Sequence, residues 1–573
     1  MKILPRRCPE RAAALLIVMV LGAVALLILA STMAWTSTTA RIADSSVRHS
    51  VAVAAAEAAT EKVIADLTTD FAKQGAATVS ANLPNYRVHI PNGSENAHWN
   101  RYKFSNGKGG NDAVSLEQIE AWANGTPLIS QYQGIKGYAA TYRIKANATD
   151  LLGSHQVIGA VQEDVQLALI PIFQFAIFYN MDLEINPGAA MTIGGRTHAN
   201  ANIYLQPAAP LTFNGDVTGS GDIIPDKKSG DPTVRSGQTP SFSGEHDGGV
   251  MTLNLPIGTD NSPEAVRQIV EIPPNNESVN SDLGRQRFYN NADLVIVVRD
   301  GGVSVRGGGI ANGNGPNLGW SSISNFVNLN KSFYDARENK TIKLVELDVA
   351  GLVAWNADSK NALKNALKRD VNSVYVADQR TQSAATEPGV RLINGATLPP
   401  LGLTVATPDP LYVQGNFNAS GGALGSSDTS SARPAALIGD SINVLSGNWS
   451  DANSSKSLSS RTAANTTVNA AFMAGIVETG NGYYSGGVEN FPRFLENWSG
   501  RTFTYNGSMI VLYYSQHATG PWRGTGNLYN IYNPPNRNWY FDHNFLDPNK
   551  LPPLCPSVRA VIRGRWATIA PNT

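Results

Sequence analysis

RAAALLIVMVLGAVALLIL, Arg11 to Leu29, is the stretch on which the fold turns. Nineteen residues from Ala12 to Ala30 carry no charge and no side-chain hydrogen-bonding group. As a helix rising about 1.5 Å per residue they span about 28 Å, close to the hydrocarbon core of a bilayer. Upstream, MKILPRRCPER holds Lys2, Arg6, Arg7 and Arg11, and the uncharged run continues to Ala40. A basic flank ahead of an apolar run predicts a cytoplasmic amino terminus and an exported body. No later segment is long and apolar enough to span. The expected topology is a single pass of the inner membrane, with the body periplasmic or extracellular.

A secretory signal peptide has an apolar core of about 7–15 residues followed by a cleavage site. Here the run is longer and a helical pattern follows it without a break. Ala23 to Lys73 contain neither Gly nor Pro. A helix from Ala13 to Ala72 would be about 90 Å long. Its second half is amphipathic: Val47, Val51, Ala54 and Ala58 fall at helical spacing, then Ile64, Leu67 and Phe71. The stretch VAVAAAEAATEK, Val51 to Lys62, is dominated by alanine, the best helix former. Small side chains also let helices approach closely. Val47, Val51, Ala54 and Ala58 therefore form the expected packing stripe, and Gln74-Gly75 the expected stop.

A basic leader, the apolar run and AAAEAA at Ala54 to Ala59 together resemble the PilX amino-terminal family. Its members are minor pilins and pilin-like proteins of type IV pilus assembly, similar in pattern to the tip pseudopilins of type II secretion. The resemblance covers about 65 residues from Met1. It implies a leader of residues 1–12, cut by a prepilin peptidase between Ala12 and Ala13, and a long helix over 13–74. Two departures stand out. Ala12 occupies the place where pilins mostly have Gly. Ile17 occupies the fifth mature position, where major pilins carry Glu. No acid occurs between Arg11 and Asp44. The resemblance therefore implies a minor or tip subunit, with other pilins, the peptidase and the inner membrane as partners. An anchored surface adhesin or binding protein is the alternative reading.

The body reads as α+β with a large, mainly β head. Charged residues are 16% of the chain, below the roughly 25% of soluble domains, and 53 Gly and 32 Pro mark a turn-rich chain. Residues 75–170 are expected to form a small antiparallel sheet, with Tyr138 to Ala148 and Gln156 to Leu169 paired across Asp150 to Ser154. Residues 92–112 read as a loop. Across 171–340, apolar pairs recur at Leu183/Ile185, Met191/Ile193, Ile203/Leu205 and Leu211/Phe213, about eight to ten residues apart. Such spacing suits a β-solenoid, a sandwich or a barrel. Residues 341–380 read as a small α/β insertion, with a helix from Asp358 to Arg369 capped by Asn356 or Asp358. Residues 381–573 return to β texture, and the two β stretches suit one split solenoid.

Little chemistry is visible. Formal net charge is zero, which argues against a nucleic-acid partner. Of the two cysteines, Cys8 and Cys555, the first lies in the leader, so no disulfide is expected. There is no HExxH, P-loop, GxSxG or EF-hand pattern, and no cofactor or metal is implied. The Gly-rich run Gly307 to Gly319 reads as a loop. His198 with Asn200 and Asn202 reads as a hydrogen-bonded ladder, and Asp542, His543 and Asp547 as a turn. Glu57 reads as a solvated or partner-facing acid. An anchored carbohydrate-active β-helix enzyme would have to bring together acids such as Asp440, Asp300 and Asp231. The expectation is a structural subunit, not an enzyme, whose head takes a ligand that the residues do not name.

Overall fold

The computed structural model describes residues 10–152, 156–308 and 315–571, excepting the side chains of residues 10–12; leader residues 1–9 lie outside it. Helix α1 runs unbroken over Glu10–Gln74, 65 residues, or roughly 100 Å. It stops at Gly75, whose φ of +79° lies in the left-handed region that glycine enters without steric cost. Helix α2 (Ala76–Val88) follows and packs on α1. Its Tyr86 hydroxyl and Asn82 amide donate to Asp70 at 2.6 and 2.7 Å. The sequence texture predicts sheet here. Ala76, Ala77, Ala81 and Leu83 are strong helix formers, and they outweigh the single Pro84. The expected loop at 92–112 holds a short 3-10 helix and the first strand.

A five-stranded antiparallel sheet lies across the second half of α1. Its strands are β1 (Tyr102–Ser105), β2 (Ser115–Pro127), β3 (Lys136–Asp150) and β4 (Val157–Pro171), joined by Ser557–Thr568. β3 and β4 pair from Tyr138↔Leu169 to Asp150↔Val157, as the alternation of their residues predicts. The strand Ser557–Thr568 returns from the far end of the chain to the free edge of β4. It therefore belongs to this sheet and not to the carboxy-terminal β part. Everything between residues 172 and 556 is a head inserted between two neighbouring strands.

The head is a stack of parallel coils. Ile177–Tyr179, Thr197–Ala199 and Val217–Gly219 pair in parallel at an offset of twenty residues. Leu183–Glu184, Ile203–Tyr204 and Ile223–Ile224 repeat that offset on a second face, and Met191–Ile193 with Leu211–Phe213 on a third. One coil thus takes twenty residues and three short strands, so successive faces lie six to eight residues apart, closer than the eight-to-ten spacing of the apolar pairs. Side-chain ladders bind the coils: Asn200 donates to Asn180 at 2.8 Å, and Asn202 and Asp222 backbone N–H groups donate to Asp182 and Asn202.

A second stack is built from Ser373–Asp378, Leu403–Ala406, Ala435–Gly439, Ala471–Ile476 and Met509–Tyr514, again parallel. Met509–Tyr514 then pairs with Ile177–Tyr179. The two stacks therefore share one twelve-stranded sheet, and the chain enters it in the middle. The α/β element at 341–380 is continuous with this architecture. Its strands Lys340–Asp348 and Ser373–Asp378 belong to two of the head's sheets. Two short helices, Val349–Ala357 and Ala362–Leu367, replace the single one expected. Their caps are Asp348 and Asn361, which accept backbone N–H groups at 3.0–3.1 Å. Asn356 is instead buried and bonded to the Val371 backbone.

Candidate functional site

α1 divides sharply into a bare half and a covered half. From Ala13 to Val47 no residue is buried, and Leu15, Ile17, Leu27 and Trp35 are all more than half exposed. Among the described residues this is the one helix long and apolar enough to cross a membrane. The bare length, about 35 residues, amounts to about 50 Å. Its first part, Ala13 to Ala30, is an unbroken apolar surface, which a bilayer or other helices must cover.

The covered half begins at Arg48. The sheet buries Ala52, Ala55, Ala56, Ala59, Val63, Leu67 and Phe71, so alanines face the sheet where it lies closest. A glycine makes that approach possible. A Cβ on Gly159 of β4 would stand 2.3 Å from the Val53 nitrogen and 2.4 Å from the Ala52 carbonyl carbon. Both are backbone atoms of a rigid helix, so neither can give way.

Ion pairs rim the contact. Asp150, at the end of β3, accepts from Arg48 Nε of α1 at 3.0 Å and from both ends of the Arg101 guanidinium at 2.9 and 2.8 Å. Its side chain is fully buried. Arg101, with the Leu152 N–H and Arg48, holds the carboxyl well below the usual aspartate range. Arg563 of the last strand bridges Glu163 of β4 and Glu61 of α1. Lys62 pairs with Glu95, His89 with Asp66, and Arg559 donates to the Ala72 carbonyl. The helix is thus tied at both ends of its covered half by residues far away in sequence.

The expected stripe lies beside this contact. Val47 and Ala54 are exposed, and Val51, Glu57 and Ala58 are half-buried. The residues that the sheet covers are Ala52, Ala55, Ala56 and Ala59. Val47 and Ala54 stay open to a neighbour. The bond between Ala12 and Ala13 lies within the helical backbone, and Ile17 sits on the bare half.

The remaining singled-out residues serve the fold. His198 is buried, with its ring nitrogens on Thr218 at 2.9 Å and Asn200 at 3.0 Å; burial lowers it to about 4. Asn202 belongs to the ladder described above. Asp542 accepts from Thr429 Oγ1 and Asn544 N, and Asp547 from Asn549 N. His543 packs edge-on against Phe541. Asp440 accepts from Arg267 and three backbone N–H groups. Asp300 accepts from Thr381, and Asp231 from Arg235 and Thr233 N. Each acid is satisfied by its own partners. The carboxy-terminal aromatics are mostly core: Trp498, Tyr513 and Tyr505 are fully buried, while Tyr540 and Trp566 remain nearly half exposed. Sequence reasoning missed Gly159, Asp150, Arg48 and Arg563. Gly159 alone carried a signal, as a lone glycine within a strand pattern, which marks close backbone approach.

No protein-family profile matches the chain, and no curated protein matches it. Among solved structures, the crystal structure of the competence-associated pilin ComZ from Thermus thermophilus is similar over 81% of this chain and 89% of that chain. The identity is 10% and the TM-score 0.27.

Proposed function

We propose that this chain is a pilin-like subunit, minor or tip-located, of a type IV pilus or related filament. The observation that carries the reading is the division of α1. A bare apolar half, long enough for a bilayer, continues without a break into an alanine-rich half clamped by an antiparallel sheet. The first half stores the subunit in the inner membrane and packs it among other pilins after extraction. The second half ties the helix to the head that it displays. The amino-terminal resemblance supports prepilin peptidase cleavage between Ala12 and Ala13. Ile17 supports a minor or tip place: without an acid it offers no partner to a neighbour's charged amino terminus, which would otherwise be costly in an apolar setting. The role is structural and not catalytic: Asp440, Asp300 and Asp231, the acids that an enzyme reading would have to bring together, are each held by their own partners.

The test is the mature amino terminus of the full chain, co-expressed with a prepilin peptidase and measured by intact mass. A start at Ala13 that depends on the peptidase is the expected result. An intact Met1 terminus overturns the reading and leaves a single-pass anchored surface protein.

A further inference from the structure

On the third face of the head the two stacks meet without pairing. Asn536–Phe541 is hydrogen-bonded only to Thr502–Gly507, and Met191–Ile193 only to Leu211–Phe213. The other two faces are closed across the same joint, by Met509↔Ile177 and by the bridge Glu184↔Gly487. An open groove of about 700 Å³ runs along the unpaired edge.

One wall of the groove is the strand NRNWYF, which places Asn538 and Tyr540 outward. The other wall is low, built from Ala189, Ala190 and Gly194, with Asn214 rising beside it. The side chains of Tyr540, Asn538 and Asn214 make no hydrogen bond or ring contact among the described residues. Tyr540 is 44% exposed. No Asp or Glu lines the groove, so nothing there favours a metal or a cationic ligand. A peptide strand inserted between the two edges would need about 9.6 Å. Their Cα atoms come within 8 Å of each other, which leaves no place for one.

We infer that this groove binds an oligosaccharide. An aromatic face takes the C–H side of a sugar ring, and amides satisfy hydroxyls that both donate and accept. A size of about 700 Å³ falls within the range of small-molecule sites. The site belongs to the head, and it is occupied whether or not the helix joins a filament. The inference thus goes beyond the assembly reading and fails separately from it.

The experiment uses the full chain in lipid nanodiscs, because glycoside detergents would compete. Binding is titrated by calorimetry against linear hexasaccharides of glucose, galactose, N-acetylglucosamine and a hexuronic acid. The expected result is saturable binding of at least one of them, weakened tenfold or more by Tyr540→Ala and by Asn214→Ala. Tyr529→Ala, an equally exposed ring outside the groove, leaves binding unchanged. Each variant's melting temperature is matched to the parent, so a loss is not a folding failure. No binding by any member at millimolar concentration overturns the inference, as does binding that Tyr540→Ala and Asn214→Ala leave intact.

Discussion

Gly159 and Asp150 do at single positions what the apolar stripe from Ala52 to Phe71 does over about five turns. A methyl group at Gly159 has nowhere to go, because helix backbone occupies its place at 2.3–2.7 Å. Gly159→Ala is therefore expected to push α1 off β4 at a cost of about 2 kcal/mol, the usual scale of overpacking. The readout is a lower melting temperature together with faster protease cleavage after Lys62 and Lys73, both in the covered half. An unchanged melting temperature would mean that the helix does not rest on β4. Asp150 works by charge. Asp150→Asn leaves Arg48 and Arg101 without their anion, which is expected to cost about 2 kcal/mol near neutral pH. The sign follows from the lowered carboxyl: its stabilisation is present above the unfolded aspartate value near 3.8 and is lost as pH falls below it. Parent and variant should therefore differ in melting temperature at pH 6 and converge toward pH 2.

At the scale of the element, α1 presents two stripes with different clients. Ala52, Ala55, Ala56 and Ala59 belong to the antiparallel sheet, whereas Val47 and Ala54 face outward. Val47→Asp and Ala54→Asp are expected to leave the stability of the isolated chain, read from its melting curve, within about 0.5 kcal/mol of the parent, as exposed substitutions do. In cells that make the filament, the same variants should be lost from sheared filaments, measured by quantitative mass spectrometry. Retention at the parent's level would remove that stripe from assembly. The helix was legible because its determinants are local. A charge-free run, alanine content and the absence of Gly and Pro from Ala23 to Lys73 act within a few residues of one another. The sheet partners were only half legible. β3 and β4 are neighbours joined by a turn, but Ser557–Thr568 pairs with β4 across almost 400 residues. No pattern within a twelve-residue strand names so distant an edge.

At the scale of the molecule, the head hides its own period. Equivalent positions such as Ile177, Thr197 and Val217 share a β preference and not an identity, and strands of two or three residues carry too few letters to repeat visibly. The polar ladder was the better signal, since Asn180/Asn200 and Asp182/Asn202/Asp222 return every twenty residues. The joint between the stacks is legible only in three dimensions, and it stores a pH dependence. Glu184, 1% exposed, sits at the bridge to Gly487. Burial first, then the nearby Asp231 and Glu489, raise its carboxyl from 4.5 to about 7, against Thr479 and Lys228. A folded carboxyl raised in this way holds its proton where the unfolded one has lost it. Stability therefore falls as pH rises from about 4.5 to about 7 and is level above that, by on the order of 3 kcal/mol in total. Glu496, also raised to about 7 by burial, adds to the fall. His198, lowered to about 4, opposes it between pH 4 and 6.5, because there the unfolded imidazole binds the proton. The parent's own profile mixes these slopes, so the clean observable is a difference. Glu184→Gln cannot ionise, and its melting temperature relative to the parent should climb from pH 5 to pH 7 and then stay constant to pH 8.5. A difference that is flat across that range would show that the Glu184 carboxyl titrates as an ordinary surface acid, and that the joint is open to water on this face as well.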